Sequence, residues 1–173
     1  MEDIIMATPD DNFFKDYLNP VFVETGSCVG EGIRRAVFAG FQEIHSIELS
    51  PELHEHCVNR FKDQEHVHLF CGDSRDHLAE IISKIDCPIT FWLDAHYSGG
   101  TTAGADVSFS LFDEIEIIKN HSIKNHTILI DDLRDWGSND LLIEKLLEIN
   151  PNYTIMLVDG LTHKDDILVA IVR

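Results

Sequence analysis

Residues 21–32 read VFVETGSCVGEG: an apolar run, then an acid, then glycines at 26, 30 and 32. A strand that breaks into such a turn is the opening of a ligand-binding unit. Glycine lets the backbone turn tightly and approach a ligand without a Cβ in the way, and the helix that follows offers free N–H groups. The period of the remaining chain decides whether that unit is continued.

Short apolar runs recur at VFV 21–23, IHSI 44–47, VHLF 67–70, ITFWL 89–93, TILI 127–130, YTIMLV 153–158 and ILVAIV 167–172, which predicts seven strands. Between the first five lie segments with helical spacing: Ile33, Val37 and Phe41; Leu53, Cys57 and Phe61; Leu78, Ile82 and Ile85; Leu111, Ile115 and Ile118. A fifth, with Leu142, Leu146 and Ile149, follows the fifth strand. Strands that are almost wholly apolar, separated by single helices, predict a parallel sheet covered on both faces. Only DGLTHKDD separates the last two strands, too little for a helical crossover, so they are expected to pair as an antiparallel hairpin.

At 173 residues with 44% hydrophobic content, the chain predicts one domain over residues 1–173, with residues 1–20 as an N-terminal extension. The acidic start MEDIIMATPDD is unlike a secretory signal, and no apolar stretch reaches membrane length, so a soluble, cytoplasmic protein is expected. Cys28, Cys57, Cys71 and Cys87 form no CxxC pair and predict reduced structural thiols rather than a disulfide framework or a cysteine zinc site. A formal charge of −18, from 31 acids against 13 bases, makes nucleic acid an unexpected partner.

Ligands of an open parallel sheet bind beyond the carboxyl ends of its strands. There the chain places Glu24 and the glycine turn, Glu48, Asp73 with Ser74, Asp94 with His96, and Asp131 with Asp132, so each of the first five strands carries an acid at or just past its end. The Gly-, Ser- and Thr-rich stretch 97–110, YSGGTTAGADVSFS, follows the fourth strand and has the length of a functional loop.

TGSCVGEG also fits the TGxxxGxG turn of short-chain dehydrogenases, but Tyr17, Tyr97 and Tyr153 all lack the lysine four residues on that such enzymes use. A dinucleotide pyrophosphate gains nothing from Glu24, whereas the sulfonium and ammonium of S-adenosylmethionine do. From Val21 to the C-terminus the chain resembles the class I S-adenosylmethionine-dependent methyltransferases. The resemblance implies a Rossmann-like α/β fold, with a seven-stranded, mostly parallel sheet, helices on both faces and a C-terminal antiparallel hairpin. ETGSCVG resembles the first motif of that family and implies Glu24, Thr25, Gly26, Ser27 and Gly30 around the methionine part of the cofactor. SIELSP resembles the second and implies Glu48, with Leu49 beside it, at the ribose hydroxyls; GDSRD implies Asp73 and Ser74 near the adenine. Simpler roles stand beside these: Glu48 as an acid favoured at the start of the helix at Pro51, and Asp73 as a helix cap.

Asp94, Asp131 and Asp132 end neighbouring strands, and three converging carboxylates are costly without a cation to neutralise them. Oxygen ligands of this kind suit Mg²⁺, with Mn²⁺ or Ca²⁺ as alternatives. LDAH at 93–96 and IDD at 130–132 are similar to the metal-dependent O-methyltransferases of the catechol and caffeoyl-coenzyme A type, which implies metal binding by Asp94, Asp131 and Asp132. The simpler reading makes Asp131 a turn residue and Asp132 a cap. Those relatives carry a lysine three residues after the strand-four Asp, where this chain has Tyr97, so His96 is the candidate base, acting with Asp94 as the catalytic pair. They also wall the acceptor with N-terminal helices that about twenty residues here do not supply. The 97–110 loop is the expected lid, helped by the partner subunit of a homodimer, and Trp92, Trp136 and Tyr97 are candidates for stacking on a small-molecule acceptor. Two other functions fit the same acids: a metal-dependent hydrolase, and a protein that binds S-adenosylmethionine without turnover.

Overall fold

The computed structural model describes residues 10–94, 110–135, 139–160 and 163–173. Seven strands, β1 (Val21–Thr25), β2 (Glu43–Glu48), β3 (Val67–Cys71), β4 (Ile89–Leu93), β5 (Thr127–Ile130), β6 (Thr154–Val158) and β7 (Ile167–Ile171), form one sheet in the order β3-β2-β1-β4-β5-β7-β6. The first five run parallel, and β7 pairs antiparallel with both β5 and β6. The seven strands and the terminal hairpin are those the sequence predicts. β1, β4 and β5 are buried along their whole length, whereas the edge strands β3 and β6 stay partly exposed. Apolar runs without alternation therefore mark the interior of the sheet.

Helices α1 (Glu31–Ala39), α2 (Pro51–Phe61), α3 (Ser74–Ile82), α4 (Ser110–Asn120) and α5 (Asp140–Ile149) follow the predicted segments. On one face Ile33, Ala36, Cys57 and Phe61 of α1 and α2 pack with Phe14, from a 3-10 turn at Phe13–Tyr17, over Phe22, Ile44, Trp92 and Leu129. On the other, Leu78, Ile115, Ile118, Leu142 and Leu146 of α3, α4 and α5 cover Val23, Phe91, Ile128 and Leu168.

Local chemistry sets the helix ends. Gly40, at φ +97°, closes α1 by donating its N–H to Ala36 and Val37, a left-handed cap that costs little without a Cβ. Ser50 accepts from the Leu53 N–H at the start of α2, where Pro51 takes the first helical position. Asp73 caps α3 through the Arg75 N–H at 2.9 Å.

The sequence offers Trp92 as a stacking surface, and the structure corrects this. Its side chain is fully buried, with its ring centroid 5.2 Å from Phe14 and 6.0 Å from Phe13. On a strand buried on both faces, an aromatic residue next to the site still points into a core layer. Among the described residues, no helix is long and apolar enough to cross a membrane.

Candidate active site at the carboxyl ends of the strands

Backbone hydrogen bonds continue past the strand ends and hold the acids at one level. Gly26 donates to Ile47 O, Gly72 to Glu48 O, Asp94 to Thr25 O and Asp131 to Leu93 O. The rim therefore runs in the order of the sheet: Asp73, Glu48, the glycine turn, Asp94, Asp131. Between β1 and β4 the connections leave toward opposite faces, which opens the crevice where ligands bind in sheets of this kind.

The glycine turn is a left-handed stretch, with φ of +86° at Gly26, +46° at Cys28 and +84° at Gly30. Glu48, buried at the end of β2, takes the Cys28 N–H on Oε2 at 2.7 Å and the Ser50 N–H on Oε1 at 2.8 Å. Each oxygen keeps a lone pair for a further donor. The carboxylate is thus fixed in orientation between the turn and the start of α2, with half-exposed Leu49 beside it. Its roles as helix-start acid and as ligand acceptor are compatible.

Glu24 lies beneath the turn rather than beside it, 1% exposed, and accepts from Ser46 Oγ, which lies 2.6 Å from Ser27 Oγ. Burial, with Asp94 and Glu48 nearby, pushes its pKa up to about 8. Through much of the neutral range this acid is therefore uncharged. As a support for the loop it is well placed, and as an attractor for a cation it is weak.

Glu114 on α4 is a buried acid that sequence reading misses. It is 1% exposed and accepts from Thr25 Oγ1 at 3.2 Å and Ser74 Oγ at 2.5 Å, and burial raises its pKa to about 7. The Thr25, Ser27 and Ser74 hydroxyls thus turn inward, so contact with a ligand would fall to their backbone. Asp73 serves as the α3 cap and pairs with Arg75.

Asp94, Asp131 and Asp132 converge, each offering an oxygen within 4.8 Å of the others. Burial and the carboxylates of Asp94 and Asp132 raise the Asp131 pKa to about 8, the crowding that a cation would relieve. Asp132 holds a left-handed φ of +54°, donates its N–H to Asp131 Oδ1, and lies 2.5 Å from Arg134 Nη1. Arg134 also pairs with buried Asp166 from the segment before β7. This all-oxygen set fits a hard divalent ion.

Comparison with solved structures places this architecture. The fold is that of the class I methyltransferases. A Streptococcus mutans protein crystallised with S-adenosylhomocysteine superposes with a TM-score of 0.64 at 13% identity, over 94% of this chain and 95% of that one. An O-methyltransferase from Bacillus cereus, also with S-adenosylhomocysteine, gives 0.59 at 14% identity over 94% and 78%. An rRNA methylase from Streptococcus thermophilus gives 0.57 at 14% identity over 94% of each chain. No family model and no curated protein matches the sequence.

The candidate base His96, the aromatic residues Tyr97 and Trp136, and the proposed lid from 97 lie outside the described residues.

Proposed function

We propose that this protein is an S-adenosylmethionine-dependent methyltransferase that methylates a hydroxyl of a small acceptor with help from a divalent cation. One observation carries the reading: Glu48, held by the Cys28 and Ser50 amides, shares a rim with the Asp94–Asp131–Asp132 cluster across a glycine turn. A carboxylate with two fixed oxygens suits a vicinal diol such as a ribose, and three further carboxylates suit a hard cation. A hydrolase using the same cluster would have no use for the first feature.

In this mechanism Glu48 holds the ribose hydroxyls of the methyl donor, a substrate that is consumed. Backbone groups of residues 25–30 line its methionine part, and Leu49 flanks the nucleoside. Asp94, Asp131 and Asp132 would hold the ion, which when bound supplies Lewis acidity to an acceptor hydroxyl. His96 takes the hydroxyl proton. The acceptor oxygen forms its bond to the methyl carbon as the carbon–sulfur bond breaks, and the electron pair goes to sulfur and neutralises it. Alignment of the two reactants contributes roughly 7–11 kcal/mol of the lowered barrier.

The acceptor is taken to be small because a net charge of −18 opposes approach of a polyanion such as the substrate of the rRNA methylase. The test is calorimetric binding of S-adenosylhomocysteine, followed by methyl transfer to a panel of hydroxyl compounds with and without Mg²⁺. Micromolar binding that Glu48→Ala abolishes, with Mg²⁺-dependent transfer that Asp131→Asn abolishes, is the expected result. Binding without transfer to any acceptor leaves a binding protein, and phosphatase activity without nucleoside binding leaves a hydrolase. Transfer to RNA alone overturns the choice of acceptor.

A further inference from the structure

The amino-terminal half of the sheet carries a second cluster, away from the acidic rim. α3 crosses the sheet here and leaves a cavity of about 310 Å³ lined by Glu43, His45, His68, Phe70, His77 and Cys87, among others. Glu43 and His45 are two residues apart on β2 and so share a face, and His68 on β3 pairs directly with His45 in register. Two imidazoles and a carboxylate thus reach the cavity from adjacent strands.

Both imidazoles approach the same oxygen. His45 Nε2 lies 2.9 Å and His68 Nε2 3.6 Å from Glu43 Oε1. Ligand atoms about 2.0–2.1 Å from a tetrahedral ion are separated by roughly 3.3 Å, midway between these two values. His45 is buried, and although its Nε2 lies at ion-pair distance from Glu43, neither ring nitrogen makes a well-formed hydrogen bond. Buried imidazole nitrogens are ordinarily satisfied, and a pair that is not points to a missing ligand.

We infer that Glu43, His45 and His68 form a binding site for a borderline divalent transition-metal ion of the Zn²⁺ type, with water in the fourth position inside the cavity. Two nitrogens and one oxygen favour such an ion over Mg²⁺, the reverse of the all-carboxylate rim. Among the described residues, only the rim set of Asp94, Asp131 and Asp132 has its donor atoms within 4.8 Å of one another. In the Glu43–His45–His68 set each Nε2 is close to Glu43, but the two imidazole nitrogens stand farther apart than that, so binding would need rotation of the His68 ring, whose side chain is 44% exposed.

This inference is independent of the proposed methyl transfer. The full chain is titrated calorimetrically with Zn²⁺ while excess Mg²⁺ occupies any hard site, and Co²⁺ is added separately so that visible absorption reports its geometry. One Zn²⁺ per chain at micromolar or tighter affinity, with a tetrahedral Co²⁺ spectrum, is expected. His68→Ala and Glu43→Gln alter exposed side chains, so they leave the thermal unfolding of the metal-free protein unchanged. Each weakens Zn²⁺ binding at least about 100-fold, the upper end of what even an outer partner of a ligand contributes, while Asp131→Asn retains it. Absence of Zn²⁺ binding overturns the assignment. So does binding that survives both substitutions, or binding lost instead in Asp131→Asn, Cys71→Ser or Cys87→Ser. S-adenosylhomocysteine affinity, measured on His68→Ala and Glu43→Gln, stays at the wild-type value and separates failure here from failure of the proposed function.

Discussion

The carboxylate of Glu24 fills the space that a side chain at residue 32 would need: a Cβ built on Gly32 would lie 1.8 Å from Glu24 Oε1. The third glycine of the opening motif therefore serves the buried acid and not the ligand directly. Gly32→Ala forces Glu24 off Ser46 and is expected to cost about 1–3 kcal/mol, the range for overpacking a filled interior. Urea unfolding measures that loss. A loss below 0.5 kcal/mol would mean, by that same scale, that the carboxylate has another place to go.

Glu114 ties three elements to the crevice floor through Thr25 and Ser74. Replacing it with Ala strips both hydroxyls of a buried acceptor and is expected to destabilise by roughly 2–4 kcal/mol. Glu114→Gln keeps the shape and cannot ionise. The folded-state pKa of Glu114 itself is raised from 4.5 to about 7, so between those values the folded wild-type chain holds a proton that the unfolded chain releases. The contribution of Glu114 is therefore most favourable at low pH and declines as pH rises toward 7. Stability of Glu114→Gln relative to wild type should accordingly rise from pH 4.5 to 7 and level off above. A flat difference across urea midpoints in that window would refute the assignment.

A buried chain of hydrogen bonds fixes two histidine tautomers. The Ile89 N–H donates to His126 Nδ1, so His126 Nε2 carries the proton and donates to His121 Nδ1, and His121 Nε2 donates to Ile85 O. Burial first, and then His121, lower the His126 pKa from 6.5 to about 4. Below pH 6.5 the unfolded chain gains a proton that the folded chain refuses, so this group loses stability as pH falls from 6.5 to 4. The advantage of wild type over His126→Gln should shrink by on the order of 3 kcal/mol across that window. Urea midpoints at four pH values test it.

Arg134 joins Asp132 to Asp166 and so couples the rim to the hairpin. Arg134→Gln removes the guanidinium from buried Asp166, leaving it with His163 Nδ1 at 3.8 Å, and is expected to cost about 1–3 kcal/mol, discounted because the arginine is partly exposed. It also removes a positive charge from beside the proposed ion site, so Mg²⁺ should bind several-fold more tightly. Calorimetry on wild type and variant decides the sign.

The fold was largely legible because unbroken apolar runs and helical spacing report burial on both faces, and burial is what orders this sheet. Strand ends were legible for the same reason, which placed Glu48, Asp94, Asp131 and Asp132 on one rim. Orientation within a layer was not. Trp92 is adjacent to Leu93 and Asp94, but alternation along β4 turns it into the core. Glu114 lies within a run of acids on α4, and in sequence nothing separates it from Asp113 or Glu116; only the crossing of α4 beneath Thr25 selects it. Glu24 shows the same gap, since its position was readable and its depth was not.

The placement of β7 between β5 and β6 affects how the chain is made. Among the described residues β6 pairs with β7 alone, so while the polypeptide emerges from the ribosome β6 stays undocked until residues 167–171 are available. Until then β5 presents an unpaired apolar border, the kind of surface that recruits other chains during synthesis. Truncations within 167–171 should therefore show up first as aggregation in the cell rather than as weakened ligand binding.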